Sequence, residues 1–155
     1  MKVTVAVVGK PRDAALAAAI RQYEERAAHY WPLDCVEVKE EPARGLAPAQ
    51  VMQREAGRLH ERLPASGTLL LCAPVGGRSY TSEDFAALLQ DHRDRAQDVA
   101  FVIGGAFGIG AALKERPHRV LSLAPWTLPH ELARLVLMEQ IYRAGTIVRG
   151  EPYHK

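Results

Sequence analysis

A chain of 155 residues with 48% apolar and 25% charged residues has the composition of one soluble globular domain, long enough to bury roughly two thirds of its unfolded surface. The formal charge of +2 permits contact with nucleic acid without the basicity of a histone-like protein, and no apolar run is long enough for a membrane span. Cys35 and Cys72, the only cysteines, form no Cys-x-x-Cys pair, so neither a disulfide framework nor a zinc knuckle is indicated and a cytoplasmic setting is expected.

Val3–Val8, Thr68–Ala73 and Val99–Ile103 are nearly unbroken apolar runs, as suits strands covered on both faces. "CVEVKE" alternates Val36 and Val38 with Glu37 and Lys39 and reads as an edge strand, and "RVLSL", Arg119 to Leu123, as a fifth strand. Helical stripes lie between them. Leu16, Ile20, Tyr23 and Ala27 follow a candidate N-cap at Asp13, and Met52, Ala56, Leu59 and Leu63 repeat that rhythm. Phe85, Leu88, Leu89 and His92 share a face behind a cap at Thr81 or Ser82, with Asp84 placed for a capping box. Pro129 opens a last helix through "HELARLVLMEQIYRA" whose apolar residues cover most of its circumference, so a second subunit is expected to bury part of it. Strands alternating with helices predict an α/β domain with a mainly parallel sheet and flanking helices, one domain over residues 1–155.

Ligands in such sheets gather at the carboxyl ends of the strands, where the loops "APVGGRS", "GGAFGIG" and "APWTLPHE" stand out. In "FVIGGAFGIG" no register places glycines at positions one, three and six of a dinucleotide fingerprint, and no Gly-Lys-Ser/Thr of a P-loop occurs. A plain turn and close approach of a ligand to the backbone therefore both remain readings of these glycines. "HELAR" lacks the second histidine of a zinc protease because Arg134 stands there, so no metal is expected, and no Gly-x-Ser-x-Gly elbow supports a serine nucleophile. The segment Leu123–Pro129 offers mostly backbone and apolar surface, which suits either a flat ring whose edge is read by main-chain groups or ordinary core packing. Tyr153 and His154 stand almost at the terminus, where residues are normally frayed, and so are candidates for use; Arg143 and Arg149 lie near them.

Together, "AVVGK", "FVIGGAFGIG", "LSLAPWTLPHELARLVLMEQIYRA" and the terminal "RGEPYHK" resemble the RlmH family of ribosomal RNA large subunit methyltransferases, in the SPOUT superfamily of knotted methyltransferases. The likeness runs from the first strand to the last residue. It implies a C-terminal trefoil knot, a homodimer, S-adenosylmethionine as cofactor, and methylation of N3 of a pseudouridine in the 23S ribosomal RNA of the assembled ribosome. It implies a cofactor site at Gly104 and Gly105, at Leu123, Ala124, Pro125, Trp126, Thr127 and Leu128, and at Cys72 or Ala73, where one extra residue in "LCAPVGG" leaves the register open. Tyr153, His154 and Arg143 are the residues expected to position or deprotonate the target base. Two positions depart from the family pattern: members often carry a polar or acidic residue where Phe107 stands and a bulky aromatic where Gly145 stands. The alternatives are an assembly factor of the same fold that binds the ribosome without transferring a methyl group, and a SPOUT enzyme acting on transfer RNA.

Overall fold

The computed structural model describes residues 1–73 and 76–154, with the backbone alone at His154. Five strands, β1 (Val3–Val8), β2 (Leu33–Val38), β3 (Thr68–Cys72), β4 (Val99–Ile103) and β5 (His118–Leu121), form one sheet in the order β2-β1-β4-β3-β5, with every pairing parallel. The helices are α1 (Ala14–Ala28), α2 (Pro48–Arg62), α3 (Ser82–Asp94), the single turn α4 (Ala111–Lys114) and α5 (His130–Val148).

Because side chains alternate across a strand, the three central runs serve two cores at once. Val3, Val5, Val7, Val99, Phe101 and Ile103 face the layer of α1, α3 and α5, where they meet Ala27, Leu89, Leu137, Met138 and Ile141. Ala6, Val8, Ala100 and Val102 face α2 and α4, where they meet Ala56, Leu59 and Leu113. Trp31, fully buried, ties the first layer together by donating its indole N–H to the carbonyl of Ile141 at 2.9 Å.

The alternating strand β2 lies at the edge of the sheet, as its pattern predicts. Thr81 is the cap of α3 and accepts from the amide of Asp84 at 3.0 Å. Several boundaries differ from the sequence reading. The fifth strand stops at Leu121, two residues early, since Ser122 turns its hydroxyl onto the carbonyl of Ala124 and starts a loop. The last helix continues to Val148, past Ala144, because Ala144, Gly145 and Thr146 are buried in it. The one-turn α4 is too short to show a period.

β5 is bonded on both sides. β3 flanks one edge, and on the other Arg78 donates its amide to Val120 O at 2.8 Å and accepts from Ser122 N at 3.0 Å. The knot implied by the resemblance turns on the path of the loop between Ala73 and Gly76, whose residues Pro74 and Val75 lie outside the described part of the chain.

Candidate functional site

The carboxyl ends of β3, β4 and β5 open into a cavity of about 660 Å³. Its floor is Cys72, Ala73 and Ile103, one wall is the turn from Gly104 to Ile109, and the other is the loop through Leu123, Ala124, Trp126, Thr127 and Leu128. The first turn of α5 closes it with Pro129, His130 and Ala133. Nine of the ten residues named for the cofactor thus share one hollow, both Cys72 and Ala73 included; Pro125, which is exposed, is not on the wall.

The glycines are demanded first by the loop itself. Gly108 N donates to Gly105 O at 3.0 Å, which makes a tight turn with Phe107 at its tip, and Gly108 has φ +97°. A Cβ on Gly104 would lie 2.4 Å from Gly108 O, and one on Gly105 would lie 2.6 Å from Glu55 Oε2, so neither position has room for a side chain. Neither has positive φ; the requirement is close packing and not an unusual backbone angle.

Apart from Cys72, Thr127 and His130, the lining is apolar side chains and main chain. Burial pushes the Cys72 thiol up to about 12, so it is a neutral, unreactive wall. A hollow of this kind suits a flat ring whose edge is matched by backbone N–H and C=O groups. Trp126, on its lining, is 70% exposed, and Leu132 in the first turn of α5 is 36% exposed.

Arg143 and Tyr153 are brought together, but elsewhere. Arg143 Nε donates to Glu139 Oε1 at 2.9 Å, the Tyr153 hydroxyl donates to the same oxygen at 3.2 Å, and the Arg143 guanidinium lies 4.8 Å over the Tyr153 ring. Tyr153 also shares a 3.4 Å contact with the Tyr23 hydroxyl and packs edge-on against Tyr142. Burial and these neighbours hold its phenol well above the usual range, so it stays neutral. Pro152–His154 form a 3-10 turn and are not frayed, although the side chain of His154 and all of Lys155 lie outside the described residues. This cluster packs along the C-terminal half of α5, at Glu139, Tyr142 and Arg143, whereas the cavity is closed by Pro129, His130 and Ala133 at its N-terminal end; the six residues from Ala133 to Glu139 rise about 9 Å. Neither Arg143 nor Tyr153 lines the cavity.

A model of the family "Predicted SPOUT methyltransferase" matches residues 1–154. The chain is 61% identical over its whole length to the ribosomal RNA large subunit methyltransferase H of Gemmatimonas aurantiaca, also covered completely. This chain belongs to the RlmH family of SPOUT methyltransferases. The protein of the same name from Desulforamulus reducens is 40% identical over 100% of this chain and 99% of its own length. Among solved structures, a putative methylase family protein from Neisseria gonorrhoeae is similar over 91% of this chain and 81% of its own, with TM-score 0.54 and 15% identity, a likeness of fold.

Sequence reasoning missed a second hollow beside the first. Glu55, 4% exposed on α2, lines it and has no hydrogen-bond partner at Oε2. The signal was present, because Glu55 falls four residues after Val51 and four before Leu59 on the buried stripe of α2, where a carboxylate is costly. Arg134, which excluded zinc from "HELAR", is buried between Glu24 and Glu37, each at 2.6 Å. Among the described residues no cluster of His, Cys, Asp and Glu is arranged to hold a metal, and no helix is long and apolar enough to cross a membrane.

Proposed function

We propose that this protein is an S-adenosylmethionine-dependent methyltransferase that acts on N3 of a pseudouridine in the 23S ribosomal RNA of the large subunit, as a homodimer in the cytoplasm. The observation that carries this reading is the apolar, main-chain-lined cavity at the ends of β3, β4 and β5, in a chain alike over its full length to enzymes named ribosomal RNA large subunit methyltransferase H.

The lining of the cavity suits the cofactor: apolar walls for an adenine ring, and the main chain of the Leu123–Leu128 loop to match its edge. When bound, the cofactor supplies an electrophilic methyl group. The protein's part is to hold that group in line with the attacking nitrogen and to exclude water. Gly104 and Gly105 keep the wall thin, and Trp126 at the rim is placed to shield the opening.

Tyr153, His154 and Arg143 act on the target base in this reading, from the same subunit or from its partner; Arg143 and Tyr153 are not on the wall of their own cavity. Trp126 and Leu132, both exposed apolar residues, are surface a second copy would bury. Mass spectrometry of 23S ribosomal RNA from a deletion strain, with and without a copy of this gene, tests the assignment. Restoration of one methyl group on a pseudouridine is expected, and an unmodified RNA in the complemented strain overturns it. Binding of S-adenosylmethionine separates an enzyme from an assembly factor that only docks on ribosomes, and methylated transfer RNA would mark the third alternative.

A further inference from the structure

The second hollow, about 1050 Å³, lies at the carboxyl ends of β1 and β2 and shares Ala106, Phe107 and His130 with the first. It contains the only two buried side-chain polar atoms without a partner among the described residues, Glu55 Oε2 and His130 Nε2. Unpaired buried polar atoms cost stability and call for an explanation. Glu55 is not left over from an ion pair: its other oxygen accepts from the amide of Glu41 at 3.1 Å, and it makes no salt bridge. His130 Nε2 stands 3.9 Å from Glu40 Oε1, too far for a hydrogen bond.

The other acids of this hollow are already matched. Glu37 pairs with Arg134, Glu40 with Arg12 at 2.6 Å, and Glu41 with Arg54 at 2.7 Å and with Arg58. Lys10 and Lys39 are exposed on the wall and make no ion pair among the described residues. Phe107, 45% exposed, stands at the boundary of the two hollows. What remains unmatched on the lining is therefore a buried carboxylate oxygen and a buried imidazole nitrogen, a half-exposed aromatic ring and two exposed ammonium groups.

We infer that this second hollow receives an extruded nucleotide with a uracil-type imide edge, read by Glu55 and His130, stacked by Phe107 and held at its phosphates by Lys10 and Lys39. The inference rests on the methyltransferase reading for the identity of the polymer, and it adds the pocket that selects the base. An imide edge presents one N–H between two carbonyls. The Glu55 carboxylate accepts from the N–H, and His130, in the tautomer with its proton on Nε2, donates to a flanking carbonyl. A cytosine carries no proton on that ring nitrogen and would leave the carboxylate unpaired. Aromatic stacking and cationic phosphate contacts are the usual means of holding a base outside its helix. The wall shared by the two hollows puts this base edge beside the cavity assigned to the methyl donor.

The full-length protein, with its Phe and His side chains isotopically labelled, is titrated with uridine 5′-monophosphate and, separately, cytidine 5′-monophosphate. Resonances of Phe107 and His130 are expected to move with the uridine nucleotide only, and Glu55→Gln to abolish the difference. In parallel, Glu55→Gln and His130→Asn are assayed on ribosomes. At least a tenfold loss in kcat/KM for RNA in both variants, with cofactor affinity within twofold of wild type in Glu55→Gln, supports the pocket. Equal responses to the two nucleotides, or wild-type KM and kcat in both variants, overturns it. If wild type methylates no ribosomal RNA yet Phe107 and His130 respond to the uridine nucleotide alone, the pocket stands and the enzymatic reading falls.

Discussion

The ring of Tyr30 occupies the space that a side chain on Gly145 would need: a Cβ there would lie 2.4 Å from Tyr30 Cγ. The resemblance leads to a bulky aromatic being expected at this position, and here an aromatic just past the end of α1 fills the place instead. Tyr30 also donates its hydroxyl to the Glu151 carboxylate, a bond that with burial pushes its phenol up to about 12, and Arg149 lies 4.5 Å over its ring. The exchange therefore links α1 to the residues that lead into the tail. Gly145→Ala is expected to lower stability by about 1–3 kcal/mol through overpacking. Thermal unfolding checks this, and Tyr30→Ala combined with Gly145→Trp should recover part of the loss.

Gly104→Ala is expected to weaken S-adenosylmethionine binding at least tenfold, about 1.4 kcal/mol. The added Cβ collides with Gly108 O, a backbone atom, so the turn itself must move and carry the cavity wall with it. Calorimetry reads the affinity, and an unchanged value removes the turn from the site.

Leu132→Glu places a charge at the exposed start of α5. Wild type is expected to sediment as a dimer at micromolar concentration and this variant as a monomer or a much weaker dimer. A wild-type protein that is monomeric and active refutes the dimer.

Deleting Tyr153–Lys155 should leave cofactor binding intact and abolish methyl transfer. Neither Arg143 nor Tyr153 lines the cavity of its own chain, which adds a sharper expectation for a tail that serves the partner subunit. A tail-deleted subunit mixed with a Gly104→Ala subunit should regain activity in the heterodimer that has one intact cavity and one intact tail on opposite chains. Failure of the mixture to exceed either variant alone would argue against a site shared between subunits.

Burial raises the pKa of Glu55 above its ordinary value, with Glu40 and Glu41 adding to the effect against Arg58. The folded state then holds the Glu55 proton more tightly than the unfolded state does. Its contribution to stability is present below the ordinary carboxylate pKa and is lost as pH rises through the raised value. Glu55→Gln should flatten that part of the stability profile and be at least as stable as wild type near neutrality. Denaturant titrations across that pH range measure it; a variant clearly less stable at every pH would show that the carboxylate has a partner.

The local patterns carried most of the fold. The runs Val3–Val8 and Val99–Ile103 are strands at those bounds, and Asp13 and Thr81 cap the helices they precede, since caps and periodicity depend on neighbours within a turn or two. The end of the fifth strand and the end of the last helix were misplaced because each is decided by what packs there: the Ser122 turn in one case, burial of Thr146 in the other.

The site was legible in part, through the glycine turn and the Leu123–Leu128 loop, whose chemistry is written in consecutive residues. Only the tertiary structure set the turn of β4 against the loop of β5, because the sheet order β4-β3-β5 makes neighbours of strand ends far apart in the chain. It alone showed that Glu55 reaches the back of Gly105 and that His130 stands between two hollows. The tail motif named Tyr153 and Arg143, but their place beside the middle of α5, off the wall of the cavity, follows from packing against Tyr23 and Glu139. Short-range preferences are encoded residue by residue, whereas which surfaces meet depends on the whole set of crossovers, and no window of the sequence contains that.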